Sequence, residues 1–379
     1  MDVDKLKVFS RSNRQNPHTA PTLNALRCIA IALLLACAGC EVVHILPNDS
    51  SVRAILLAAP HYSFPGGGRD SSDCNCPAHW DGDTLFIFNS CNGLRRSNGA
   101  DQFHLNTVID VQLNDIIDNS GRNWIESTWK DADGTLYAWY HNEPSGICPE
   151  NALTAPRIGA MVSYDNGRTF TDLGLIIETR DTINCNAQNG YDAGGNGDFS
   201  VLPDSAHDYF YFFFSVYGGN LWEQGVAVAR MRFADRKSPV NNVWKWNAGG
   251  WSEPGLKGMA TPIFPAVKNW ADSTADAFWG PSIHWNTHIN RYVILLNRAK
   301  DPPGYNQEGS YVTFNPNIAD PYGWTTPVKI FDGGLWYPQV IGIDPTKKET
   351  DKLAGRVARF FMHGISDWEI LFLNPYESP

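Results

Sequence analysis

The sequence predicts an all-β chain folded as a five-bladed β-propeller of four-stranded antiparallel blades. Three observations carry that expectation. Gly (33), Pro (24) and the aromatics (Trp 14, Tyr 14, Phe 19) are abundant while charged residues make up only 18%, a balance that suits short strands and turns rather than helices. Hairpins of one shape recur along the chain: a Gly- or Trp-rich opening, a short strand often ending in Trp, a polar turn, then a longer aromatic strand. Two of them start almost identically, with PAHW at 77–80 and PSIHW at 281–285. A four-strand unit repeated about five times at intervals of roughly 50–80 residues is the signature of a propeller.

The first 40 residues read as a targeting segment. A polar leader with Lys5, Lys7, Arg11, Arg14 and Arg27 precedes the apolar run CIAIALLLACA at 28–38, too short to span a bilayer comfortably. The string LLLACAGCE resembles a bacterial lipoprotein signal, in which a cysteine after a small residue is acylated and becomes the new N-terminus. Cys40, behind Ala38 and Gly39, fits that role best, Cys37 is the alternative, and an ordinary secretory signal is the competing reading. The expected organisation is a signal at 1–40, a linker at 41–51 and one propeller domain at 52–379. It implies the bacterial cell envelope, lipid-anchored in the periplasm or at the cell surface, or secretion. Export permits disulfides. Of Cys74, Cys76, Cys91, Cys148 and Cys185, the pairs considered are Cys148–Cys185 and Cys91 with Cys74 or Cys76, although spacing alone does not set connectivity. Cys74-Asn75-Cys76 has no matching second pair for zinc.

In chain order, VRAILLAAP (52–60) reads as a strand, followed by a Gly-rich loop and the hairpin PAHWDGDTLFIFNS, turning at Asp81–Asp83. The second hairpin, Trp124–His141, turns at Asp131–Gly134. The third joins Phe199–Leu202 to Tyr209–Tyr217 through a polar turn, with Asp198 at its first strand position. The fourth, GPSIHWNTHINRYVILLNR, turns near Asn286–Asn290. The fifth begins at LWYPQVIGI and resumes, after the insert 344–355, at RVARFFMHG. Further β runs follow at RIGAMVSYDNGRTF, GVAVARMRF and SYVTFNPN, completing the four-strand units.

The chemistry is expected where the innermost strands begin, because those positions converge on one mouth of the central channel. Asp198 is a poor strand former; a strand cap is its bland explanation. Aligning hairpins by their turns puts Glu126 at nearly the same place in the second unit, and Asp73 precedes the first. Converging carboxylates raise one another's pKa values and are costly unless they bind a cation or move protons. A carboxyl pair, one protonated and one ionised, is the machinery of glycoside hydrolysis. Trp80, Trp129, Trp285, Trp336 and Tyr337, with His141, are the candidate sugar-binding residues, and packing between blades is the competing role for each tryptophan. Glu143 is the reserve carboxylate if Glu126 is held in a buried ion pair. The net charge of -10 argues against nucleic acid or an anionic membrane surface as the main partner. Membrane association is expected only through the N-terminal lipid anchor.

On these residues the chain resembles the five-bladed propeller glycoside hydrolases of the arabinanase, β-xylosidase and invertase-like superfamily. The resemblance implies Asp73 as base, Glu126 as the carboxylate that tunes pKa and Asp198 as acid, although that group usually has Asp and Glu in the last two places. It implies a carbohydrate substrate, with a furanoside such as arabinan favoured, and no required cofactor. Related propellers hold a calcium ion in the channel; His284, matching His79 in position, is the candidate metal ligand. Ser163–Phe170 (SYDNGRTF) resembles the Asp-box of sialidases and related propellers, which supports the fold more than an activity. A sialidase would need an arginine trio and a Tyr–Glu pair. A non-catalytic glycan-binding propeller and a protein-binding scaffold compete with the hydrolase.

Overall fold

The computed structural model of the chain describes residues 51–65, 72–90, 93–115, 121–180, 183–301 and 305–379. The signal segment with Cys37 and Cys40, nearly all of the linker, and Cys91 lie outside the described residues. Five antiparallel sheets follow one another, each ordered from an inner to an outer strand. Blade 1 comprises Ala78–Asp81, Thr84–Ser90, Leu94–Gly99 and Leu105–Asp110. Blade 2 comprises Arg122–Lys130, Leu136–Glu143, Arg157–Ser163 and Thr169–Ile177, with Gln112–Asn114 added in parallel at its outer edge. Blade 3 comprises Asn196–Pro203, Tyr209–Val216, Gly225–Arg232, Val243–Asn247 and Gly250–Pro254, and blade 4 comprises Asp276–Asn286, Arg291–Lys300, Gln307–Asn315 and Val328–Asp332.

Blade 5 closes the ring. Its inner strands are Gln339–Gly342, Val357–Met362 and Ile365–Leu373, and its outer strand is Arg53–Ser63 from the other end of the chain. Register runs from Arg53 opposite Leu373 to Ser63 opposite Ile365, so the run at 52–60 is the outer strand of the last blade. The expected insert at 344–355 contains a two-residue strand, Leu353–Ala354, that pairs in parallel with the end of the blade 4 inner strand.

The aromatic second strands make the core because the blades are wedges whose facing sheets must be filled. Trp139, Phe199, Phe210, Phe212 and Phe214 are buried in one cluster between blades 2 and 3, each such side chain stabilising by about 1.5–3 kcal/mol relative to exposure. Val293, Leu295, Phe360 and Phe372 share another between blades 4 and 5. Toward the axis the contacts become polar. Asn75 donates from Nδ2 to the carbonyls of Phe199 (2.9 Å) and Pro281 (3.2 Å), and the Gln339 amide pairs with both backbone groups of Cys76 at 2.8 Å. These amide bonds satisfy buried backbone groups that no ladder reaches.

The inner strands of blades 2, 3 and 4 are each interrupted by a bulge, between Ile125 and Ser127, Gly197 and Phe199, and Trp279 and Ser282. The extra residues in blades 2 and 3 are Glu126 and Asp198. A bulge re-aims the side chain it carries. Asp198 is therefore the third residue of its strand rather than the first, with φ +39°, a left-handed value uncommon outside glycine.

Cys148 and Cys185 form the expected disulfide, while Cys74 and Cys76 are buried free thiols. The Ser163–Phe170 stretch is the outer hairpin turn of blade 2. Asp165 there accepts from the Arg168 and Thr169 backbone N–H groups at 3.0 and 2.9 Å and from the Thr169 hydroxyl at 2.8 Å.

Candidate active site at the channel mouth

Glu126 and His141 are the centre of a buried charge cluster. The side chains are 0% and 5% exposed, and His141 Nδ1 lies 2.9 Å from Glu126 Oε1. The other Glu126 oxygen accepts from the Phe199 N–H at 2.9 Å, so blade 2 holds on to the blade 3 bulge. Asp198 Oδ1 lies 3.6 Å from the same imidazole nitrogen, and Glu143 Oε1 lies 3.6 Å from Nε2. Burial would lower His141, but the surrounding Asp198, Glu126 and Glu143 together raise it to about 10. His141 is thus an imidazolium among three carboxyl groups. The Asp198 N–H is also 3.2 Å from Nδ1, but one nitrogen cannot both donate to Glu126 and accept from Asp198. The carboxylate takes the proton's direction because the ring is cationic. Burial raises Glu126 above the ordinary carboxyl range, opposed by His141.

Asp198 has both oxygens occupied. Tyr217 donates to Oδ2 and Tyr337 donates to Oδ1 at 3.0 Å, and the side chain is only 9% exposed. Behind it a second pair, Tyr305 donating to the buried Asp192, extends the network; burial holds Asp192 well above the ordinary range, with Glu143 adding to the shift. Two carboxyl groups remain open to solvent. Asp73, 37% exposed, lies 3.9 Å from His363 Nε2 and its backbone N–H extends the blade 1 ladder to the Ser90 carbonyl. Glu143 is 31% exposed. Burial raises both, and each also feels Asp198; Glu143 additionally feels Asp73, while Arg122 pulls both down. The basic groups acting on these carboxyls from the packed elements are His141, His363 and Arg122.

The glycines ahead of Asp198 are needed for close approach. A Cβ on Gly197 would lie 2.8 Å from His141 Cε1 and 2.5 Å from Pro156 Cβ. The blade 3 strand therefore passes directly over the imidazole, as a Gly-rich approach permits.

Asp73, Glu126, Asp198, His141 and Tyr337 are brought to one mouth, with Trp336 beside it, its Nε1 donating to the Tyr305 carbonyl at 3.2 Å. The other aromatics are not brought there. Trp129 donates to Asp131 and packs edge-on to His207 and Phe233 at the turn end of its strand. Trp80 donates to the Glu349 carbonyl beneath Lys348, and Trp285 packs on Tyr292. These three serve blade packing, because each stands at the turn end of its inner strand, away from the mouth. His284 is fully buried with neither ring nitrogen bonded to any described residue, beside Phe372, and burial lowers it to about 3. Calcium takes six to eight oxygen ligands, so this apolar niche does not fit a channel calcium. Glu126, His141 and Asp198 have potential ligand atoms within 4.8 Å of one another, but their charges and hydrogen bonds already compensate one another, which suits a metal poorly.

Sequence reasoning missed Tyr217, Asp192 and Tyr305. Tyr217 closes an aromatic run whose other members are core, so nothing local distinguishes it.

No protein-family model and no curated protein matches the chain. Among solved structures it is similar to a thermostable family-43 glycoside hydrolase, at 11% identity and TM-score 0.49 over 84% of this chain and 98% of that chain. It is similar to an exo-1,5-α-L-arabinanase from a bovine ruminal metagenomic library, at 12% identity and TM-score 0.47 over 82% and 95%. A mutant α-L-arabinanase of Cellvibrio cellulosa is similar at 13% identity and TM-score 0.44 over 79% and 91%. At this level of likeness the chemistry rests on the residues themselves.

Proposed function

We propose that the chain is an exported glycoside hydrolase working at the channel mouth, and one observation carries the proposal. Two partly exposed carboxyl groups with raised pKa values, Asp73 and Glu143, face a cluster in which Glu126, His141 and Asp198 are locked. Raised carboxyls in a cleft are suited to proton transfer. Asp73 is the base, as the resemblance implies. Glu143 is assigned the acid in place of Asp198, because both Asp198 oxygens accept tyrosine hydroxyls and its side chain is nearly buried, whereas Glu143 is open to solvent. Glu126, shielded from solvent, does not touch substrate; it fixes His141, and His141 and Asp198 set the charge around the reacting sugar. A positive charge developing at the anomeric carbon would be stabilised by Asp198.

A neutral polysaccharide or oligosaccharide is the substrate class, with a furanoside such as arabinan favoured. A sialidase is disfavoured because it needs an arginine trio, and among the largest influences on Asp73 and Glu143 a single arginine, Arg122, is found. The saturated hydrogen bonding of Asp198 favours a second reading, a non-catalytic glycan-binding propeller. Lipid anchoring through Cys40 belongs to the proposal and is tested separately by palmitate labelling, which Cys40→Ser should abolish.

Reducing-end release from arabinans, xylans, fructans and sialosides separates the readings. Release lost in both Asp73→Asn and Glu143→Gln, with folding intact, supports the hydrolase. Glycan affinity without release supports the binding module.

A further inference from the structure

Beside the mouth lies a cleft of about 340 Å³ whose lining has a different chemistry from the charge cluster. Tyr217 and Asp192 form the wall it shares with the site, and amide side chains from Asn184, Asn220, Gln224 and Asn269 line the remainder. No lysine or arginine among the described residues lines it. Gln224 is fixed, donating to the Gly219 carbonyl at 2.9 Å and to Asn269 Oδ1 at 3.0 Å while accepting from the Trp270 N–H at 2.8 Å. Asn184 and Asn269 are held through their oxygens by the N–H groups of Asn186 (3.1 Å) and Ala271 (2.8 Å). Their Nδ2 groups have no acceptor among the described residues. Pre-oriented amide donors of this kind are the means by which a pocket fixes ligand hydroxyls.

Large aromatics belong to the same segments. Trp222 stands on the short turn whose ends, Asn220 and Gln224, line the cleft, and it is 57% exposed. Tyr191, next to the lining residue Asp192, is 49% exposed and packs edge-on to Tyr305 and Trp336. An exposed tryptophan and an exposed tyrosine on the segments that line the cleft offer faces for the apolar side of a sugar ring.

We propose that this cleft is a binding subsite for a neutral sugar unit of a chain whose scissile unit sits at the mouth. The absence of a basic residue among the described residues of the lining sets the class, since a uronic or sialic acid carboxylate would be buried unpaired against Asp192. The assignment rests on the glycosidase reading for the position of the scissile unit, but not for binding itself.

The test uses the full purified chain and the variants Trp222→Ala and Asn269→Ala. The readouts are calorimetric affinity for arabinotriose, galactotriose, xylotriose and trigalacturonate, and turnover of 4-nitrophenyl monoglycosides, which carry one sugar unit for the mouth and none for the cleft. Each variant should weaken binding of the preferred neutral trisaccharide by about tenfold while kcat/KM on the monoglycoside is unchanged. Unaltered trisaccharide affinity in both variants overturns the subsite, as does a parallel loss on the monoglycoside. Trigalacturonate binding as tight as that of the neutral trimers overturns the neutral class. If no substrate is turned over, the hydrolase reading fails, and variant-sensitive trisaccharide binding still upholds the subsite.

Discussion

Glu126 and His141 form a 2.9 Å ion pair on neighbouring strands of blade 2, with both side chains buried. Removing one partner of a buried pair is destabilising, and because Asp198 and Glu143 still stand 3.6 Å from His141, Glu126→Gln should cost about 1–3 kcal/mol in urea unfolding. The pair also ties stability to pH. His141 titrates near about 6.5 in the unfolded chain and is held up to about 10 in the fold. Because the folded value is the higher, the contribution is complete below the unfolded pKa and is lost as pH rises through the folded one. The thermal midpoint should therefore fall between neutral pH and pH 10, and this part of the slope should be absent in His141→Gln. An identical slope in the variant would refute the imidazolium.

Glu143 is the carboxyl assigned to protonate the leaving group. Glu143→Gln should lower kcat/KM by about 10²–10⁴ on substrates with poor leaving groups. Activated aryl glycosides need less protonation and should lose much less. Burial raises Glu143, so the acid remains protonated above the ordinary carboxyl range and the alkaline limb of the pH–rate profile shifts upward accordingly. Asp73 must be ionised to act as base, and its own raised value moves the acidic limb in the same direction. Asp73→Asn should remove the acidic limb and Glu143→Gln the alkaline one. Equal losses on good and poor leaving groups would exclude Glu143 as acid.

The hairpins were legible because their turns and aromatic alternation are local features: Asp81–Asp83 and Asp131–Gly134 turn where the residues indicate. Convergence of Asp73, Glu126 and Asp198 followed from repetition. The bulges were not legible, because Glu126 and Asp198 are extra residues only relative to partner strands whose register depends on pairing. Nor was the ring closure, since nothing in residues 53–63 names a partner some 300 residues away. Trp80, Trp129 and Trp285 were misplaced for a related reason: their strands run away from the mouth, and nearness in sequence to a carboxylate became distance along the blade.

Tyr217 and Tyr337 bracket Asp198 from blade 3 and from the start of blade 5. Each hydroxyl satisfies a carboxylate with little access to water, so Tyr217→Phe and Tyr337→Phe should each cost about 1.5–3 kcal/mol. The residues share one acceptor, and the double variant should depart from additivity. If Asp198 stabilises charge rather than delivering a proton, both variants should lower kcat while the alkaline limb of the pH–rate profile stays in place. Movement of that limb in Tyr337→Phe would return the acid role to Asp198.

Gly197 is a point of close approach between blades 2 and 3. A methyl group there would stand 2.8 Å from His141 Cε1 and 2.5 Å from Pro156 Cβ, and neither neighbour is the free end of a flexible chain. Overpacking of this kind costs about 1–3 kcal/mol. Gly197→Ala should therefore destabilise the fold and, by pushing the imidazole off Glu126, also lower the raised His141 pKa and flatten the alkaline stability slope. Gly250→Ala is the control: its nearest neighbour would be Ser252 Oγ at 3.8 Å, and it should leave both unchanged. Gly197→Ala with wild-type stability and pH dependence would show that the strand does not press on His141.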